Sequence, residues 1–120
     1  MKQILIIEDD KNIQELLRQE LNDEGYAITI ASNGKEGLSF LKNKEKEKPD
    51  LIILDLRMPA MDGFETMGHI LKLKHETPVI IHTAYPSYKD DALALAADAF
   101  VVKSHDLSKL KDAIFELIGK

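Results

Sequence analysis

The chain of 120 residues contains no cysteine. Disulfides, thiolate metal sites and cysteine nucleophiles are therefore excluded. Long apolar stretches are missing too. The apolar runs are a few residues long, far short of a membrane span. No basic-then-apolar leader pattern opens the sequence, so the expected location is the cytoplasm and no membrane partner is expected. Positive charge is in deficit: 16 Lys and Arg stand against 21 Asp and Glu, for a net charge of −5. That balance argues against a nucleic-acid-binding surface as the main function. The four histidines, His69, His75, His82 and His105, lack metal-binding spacing and are expected on the surface or in packing roles. Internal repeats and interdomain linkers are also absent, so residues 1–120 are expected to form one domain with a single core.

What the chain does contain is alternation. Gln3 to Ile7, Ala27 to Ala31, Leu51 to Leu54, Val79 to Ile81 and Phe100 to Val102 read as short strands. The first and third are continuous Ile/Leu runs, the pattern of strands buried on both faces. Between the strands lie stretches of helical period. Ile13, Leu16, Leu17 and Leu21 mark the first, with Gly25 as its stop. Gly37, Leu38 and Leu41 mark the second, which runs out into a charged segment ended by Pro49. Phe64, Met67, Ile70, Leu71 and Leu73 mark the third. A weakly patterned fourth covers about Ser87 to Ala96. Leu107, Leu110, Ile114, Leu117 and Ile118 mark the fifth, with Asp106 as N-cap. Five such pairs imply an α/β fold: a doubly wound parallel sheet with helices on both faces and right-handed crossovers.

Ligands in such folds bind beyond the carboxyl ends of the strands. Glu8, Asp9, Asp55, Thr83 and Lys103 all fall at or just past those ends. A carboxylate ending a buried strand is costly unless something uses it. Asp55 is the candidate nucleophile, since a carboxylate can attack phosphorus when the surrounding negative charge is neutralised. Glu8 and Asp9 are candidate Mg²⁺ ligands, together with Asp55 and the main-chain carbonyl of Arg57. Asp10 reads better as the N-cap of the first helix. Lys103 is placed to pair with Asp55 and then to hold a phosphoryl oxygen, and Thr83 offers a hydroxyl to another.

The combination Ile7-Glu8-Asp9-Asp10, Leu54-Asp55-Leu56-Arg57-Met58-Pro59-Ala60-Met61-Asp62-Gly63, Thr83-Ala84 and Phe100-Val101-Val102-Lys103 resembles the response-regulator receiver domain of two-component signalling. The resemblance covers the whole chain. It implies a flavodoxin-like five-stranded sheet in the order 2-1-3-4-5 with five helices. It implies that Asp55 takes a phosphoryl group from a histidine kinase or histidine phosphotransfer protein, with Mg²⁺ held by Glu8 and Asp9. Lys103 and Thr83 would bind the phosphoryl oxygens, and Phe100 would occupy the switch aromatic position, signalling to a downstream protein target. Such a domain is not an enzyme beyond its own phosphorylation and dephosphorylation.

This chain departs from the family pattern in three places. Ser104 stands where the family usually has a cis proline. A cis bond before a non-proline costs about 3 kcal/mol, so a trans Lys103–Ser104 bond is predicted, with Lys103 still reaching Asp55. The stretch from Thr83 to Lys103 is about two residues short, predicting a short or irregular fourth helix. Phe100 has no hydroxyl to satisfy and is predicted to be buried in both states. Arg57 and Tyr85 flank the site, which suggests a long-lived phosphoryl form. Two other functions compete. One is a pseudo-receiver, a binding module that signals without phosphorylation. The other is an aspartate-based phosphohydrolase, which needs a second acid where this chain has Arg57.

Overall fold

The computed structural model describes residues 1–56, 62–73 and 76–120. Five strands, β1 (Gln3–Ile7), β2 (Ala27–Ala31), β3 (Leu51–Leu54), β4 (Val79–Thr83) and β5 (Ala99–Val102), form one sheet. Its order is β2-β1-β3-β4-β5 and every pairing is parallel. The helices are α1 (Lys11–Asp23), α2 (Gly34–Lys42), α3 (Gly63–Lys72), α4 (Ala92–Leu95) and α5 (Ser108–Ile118), with a 3₁₀ turn at Pro86–Asp90 before α4. The fold class and strand order are those expected.

The sheet separates two cores. Leu5, Ile7, Ile52, Leu54 and Ile81 face Leu38 and Leu41 of α2, Met67 and Ile70 of α3 and Ala94 of α4. Ile4, Ile6, Leu51, Ile53, Ile80 and Val101 face Leu17 and Leu21 of α1 and Leu110 and Ile114 of α5. β1 and β3 supply residues of both parities to buried positions, which explains their unbroken Ile/Leu runs.

Local chemistry sets the helix ends. Asp10 caps α1, accepting from the amides of Asn12 and Ile13. Gly25, at φ 98°, turns the chain out of α1 and donates to the Asn22 carbonyl. α2 stops at Asn43, six residues before Pro49, because Asn43 leaves the helical region and its side chain accepts from the Glu45 amide. At α5 the N-cap position is Leu107, not Asp106. Asp106 still does the capping chemistry from one residue back, accepting from the amide and hydroxyl of Ser108. The fourth helical segment is irregular, as predicted: a 3₁₀ turn and then a single α-turn capped by Asp91.

Candidate functional site

The ladder runs one residue past β1, β3 and β5, and that extension places the site. Glu8 donates its amide to the Ala31 carbonyl at 3.0 Å, Asp55 donates to Ile7 at 3.1 Å, and Lys103 donates to Thr83 at 2.8 Å. Ile7 pairs with Leu54, so Glu8 and Asp55 emerge side by side at the point where strand order reverses. One carboxylate oxygen from each of Glu8, Asp9 and Asp55 lies within 4.8 Å of the others. Glu8 and Asp55 are buried, at 2% and 6% exposure. Three carboxylates within reach of one ion form a hard oxygen set, and that set fits Mg²⁺. Arg57, expected to add a carbonyl, lies outside the described residues.

Lys103 bridges the two buried acids. Its ammonium lies 2.6 Å from Glu8 Oε1 and 2.9 Å from Asp55 Oδ2. The sequence reading pairs it with Asp55 alone; the shorter contact to Glu8 is new. No described peptide bond is cis, so the Lys103–Ser104 bond is trans and the lysine still reaches the acids. Burial pushes the Glu8 carboxyl up to about 7 against the Lys103 hydrogen bond, and the Asp55 charge adds to the rise. Burial also works against the Lys103 ammonium, but its bonds to Glu8 and Asp55 outweigh that and hold its pKa above the usual value. Both values rise, for different reasons: burial dominates at Glu8, and the two acid partners dominate at Lys103.

Thr83 ends β4 fully buried, and its hydroxyl accepts a long 3.4 Å bond from the Tyr85 amide. Tyr85 packs against Tyr88 with tilted rings at 5.3 Å between centroids, and Tyr88 and Phe64 meet edge-to-face at 5.0 Å. Phe100 is half-buried against the α2–α3–α4 core, not fully covered as expected, because its neighbouring helix is one turn long. His69 is half-buried and His105 is exposed; His75 lies outside the described residues. His82 is buried, and burial followed by the nearby Lys103 charge lowers its pKa to about 4. It borders a cleft of about 560 Å³ with Ile13, Leu16, Leu17, Lys103 and Leu107.

Two contributors escape the sequence reading. Gln14 is buried on α1 and bonds the Glu8 carbonyl. Its signal was available: Gln14, Leu17 and Leu21 share one helical stripe. Gly63 is the other. Its amide donates to the Leu56 carbonyl at 2.9 Å, and a Cβ there would sit 2.1 Å from the Asp55 carbonyl oxygen. Only glycine lets α3 start that close to the strand end.

An acidic pocket at the β1/β3 switch point, bridged by a lysine from the end of β5, defines a class of α/β signalling domain. Residues 4–115 match the response regulator receiver domain family, and the chain belongs to that family. The response regulator TrrA of Thermotoga maritima, solved in complex with Mg²⁺-BeF, is 44% identical, with 98% of this chain and 99% of that one covered at a TM-score of 0.89. TrrA in complex with the histidine kinase ThkA matches at 42% identity, the same coverage and a TM-score of 0.89. Sporulation initiation phosphotransferase F of Bacillus subtilis is 34% identical over 115 residues, covering 94% of this chain and 90% of that protein. The chain spans only about half of some relatives, such as the transcriptional regulatory protein PcoR of Escherichia coli, at 53% of its length.

Proposed function

We propose that the chain is a phosphoacceptor whose Asp55 takes a phosphoryl group from a phosphohistidine of a kinase or phosphotransfer protein. An Asp55 oxygen attacks phosphorus, the new P–O bond forms as the P–N bond breaks, and the imidazole leaves with the electron pair. The observation that carries this reading is the convergence of Glu8, Asp9 and Asp55 within 4.8 Å, with Lys103 bonded to two of them. Glu8, Asp9 and Asp55 would hold Mg²⁺, which supplies positive charge against the phosphoryl oxygens. The Lys103 ammonium is placed to exchange a carboxylate oxygen for a phosphoryl oxygen. Among the described residues, Thr83 has the long Tyr85 bond alone to give up before its hydroxyl turns to another.

The cleft beside Lys103, walled by Ile13, Leu16 and Leu17, offers the donor a place to seat next to the acceptor. The similarity to TrrA, solved with a histidine kinase, supports a partner of that kind. Exposed apolar side chains on α4, β5 and α5, namely Leu95, Val102 and Phe115, suit a downstream protein target. The action is placed in the cytoplasm, and the chain turns over no substrate besides its own phosphoryl group.

Intact-mass measurement with Mg²⁺ and acetyl phosphate tests the reading. One added phosphoryl group is expected, absent in Asp55→Asn and absent when EDTA replaces the metal. A chain that acquires no adduct under any of these conditions is a binding module that signals without phosphorylation.

A further inference from the structure

A glutamine in the buried stripe of a helix is costly unless its amide is used. Gln14 is 7% exposed and faces the sheet beside Leu17 and Leu21. Its Nε2 donates to the Glu8 carbonyl at 2.6 Å and to Ser32 Oγ at 3.3 Å. No backbone donor among the described residues reaches that carbonyl. The Glu8 amide is tied from the other side, to Ala31 at 3.0 Å.

The carbonyl that Gln14 holds belongs to the peptide joining Glu8 to Asp9. That peptide is a rigid plane, so its rotation sets where the Glu8 and Asp9 side chains point relative to each other. We propose that Gln14 is a positioning residue for the acidic pair: its side-chain amide locks the Glu8–Asp9 peptide plane and thereby aims both carboxylates at one metal position. Ser32 steadies the amide from the start of the β2–α2 loop, tying together the two loops that border the pocket. Mg²⁺ demands near-ideal octahedral geometry, so small errors in ligand direction weaken its binding. The inference rests on the metal site proposed above and not on phosphorylation.

Metal affinity tests it without any phosphodonor. Mn²⁺ is titrated into the full chain with the free ion followed by electron paramagnetic resonance, and Mg²⁺ is then used as competitor. Gln14→Met keeps length and removes both donors; Gln14→Asn keeps polarity but falls one methylene short. Each is expected to weaken Mn²⁺ and Mg²⁺ binding about fivefold to tenfold, a loss of one hydrogen bond's order. Ser32→Ala is expected to stay within about twofold of the parent, because the Glu8 bond survives. Leu21→Ala, on the same stripe and away from the cleft, lowers the melting temperature and is expected to leave the affinity unchanged. A folded Gln14 variant with the parent's affinity overturns the proposal. So does an equal loss in Leu21→Ala, which would mean general loosening of α1. A parent chain that binds metal yet takes no phosphoryl group removes the proposed function and leaves this inference standing; one that binds no metal overturns both.

Discussion

His82 and Glu8 titrate in opposite senses around the same lysine. His82 has a folded pKa of about 4 against an ordinary 6.5. Between those values the unfolded chain binds the proton and the folded chain does not. Its contribution is therefore complete above pH 6.5 and is lost as pH falls toward 4, by about 3 kcal/mol in all. Glu8 has a folded pKa of about 7 against 4.5. Here the folded chain binds the proton more tightly, so stability is greatest below pH 4.5 and is lost as pH rises through 7. In metal-free buffer the two slopes are expected to offset each other between pH 4.5 and 6.5. Urea denaturation of Glu8→Gln should then show stability rising with pH across that window, and adding His82→Leu should flatten it again. A flat Glu8→Gln profile would mean that His82 is not held neutral, and a slope no different from the parent's would mean that Glu8 is not the offsetting group. Neither group was legible as a titrating centre in the sequence. His82 closes the run Val79-Ile80-Ile81 as an ordinary strand residue, and its burial depends on α1 and α5 packing over it. The Glu8 contact to Lys103 likewise depends on strand order, which brings the ends of β1, β3 and β5 to one edge.

At the level of elements, what could be read follows from period and local chemistry. β1, β2 and β3 run between the expected residues, because an unbroken Ile/Leu run or an alternating one leaves little choice of register. Asp10 was readable as a cap because three consecutive acids precede a helical stripe, and the nearest one to the helix takes the amides. The exits were less legible. α2 ends at Asn43, where backbone geometry decides, while Pro49 merely forbids a helix that has already ended. The close approach of α3 to the end of β3 is a tertiary fact that no local pattern shows. It makes Gly63→Ala informative. The added carbon would meet backbone of Asp55 and Leu56 at 2.1 and 2.2 Å, and backbone cannot swing aside. The expected loss is roughly 3 kcal/mol in denaturant melts. Mass analysis of the folded fraction should show slower phosphorylation, since the shift falls on the peptide carrying Asp55. The segment from the 3₁₀ turn through α4 has a single buried side chain, Ala94. Its amides are expected to exchange with solvent orders of magnitude faster than those of β1 and β3. Protection as strong as that of the central strands would contradict the assignment of this segment as the readily opened one.

Across the whole molecule, acidic charge is in excess and part of that excess is concentrated at one sheet edge. Glu8 and Asp55 share the Lys103 ammonium there, and Asp9 beside them has no ion pair among the described residues. The other cross-helix ion pairs, from Lys111 to Glu20 and Glu24 and from Lys120 to Glu24, are at least partly exposed and contribute little. Like charges gathered at that edge repel, and a divalent cation in the proposed metal site would relieve the repulsion. A ligand that binds only the folded chain at a hundred times its dissociation constant adds about 2.7 kcal/mol. For a domain of this length that corresponds to a rise in melting temperature of about 10 °C. Asp9→Asn separates the two effects. Without metal it removes one of three like charges, so its melting temperature should equal or exceed the parent's. With excess Mg²⁺ it has lost a ligand, and the rise should shrink to a degree or two by order of magnitude. Thermal melts of both chains, in EDTA and in Mg²⁺, give four temperatures. If Asp9→Asn keeps the parent's full response to Mg²⁺, the ion sits elsewhere and the acidic edge is not the metal site.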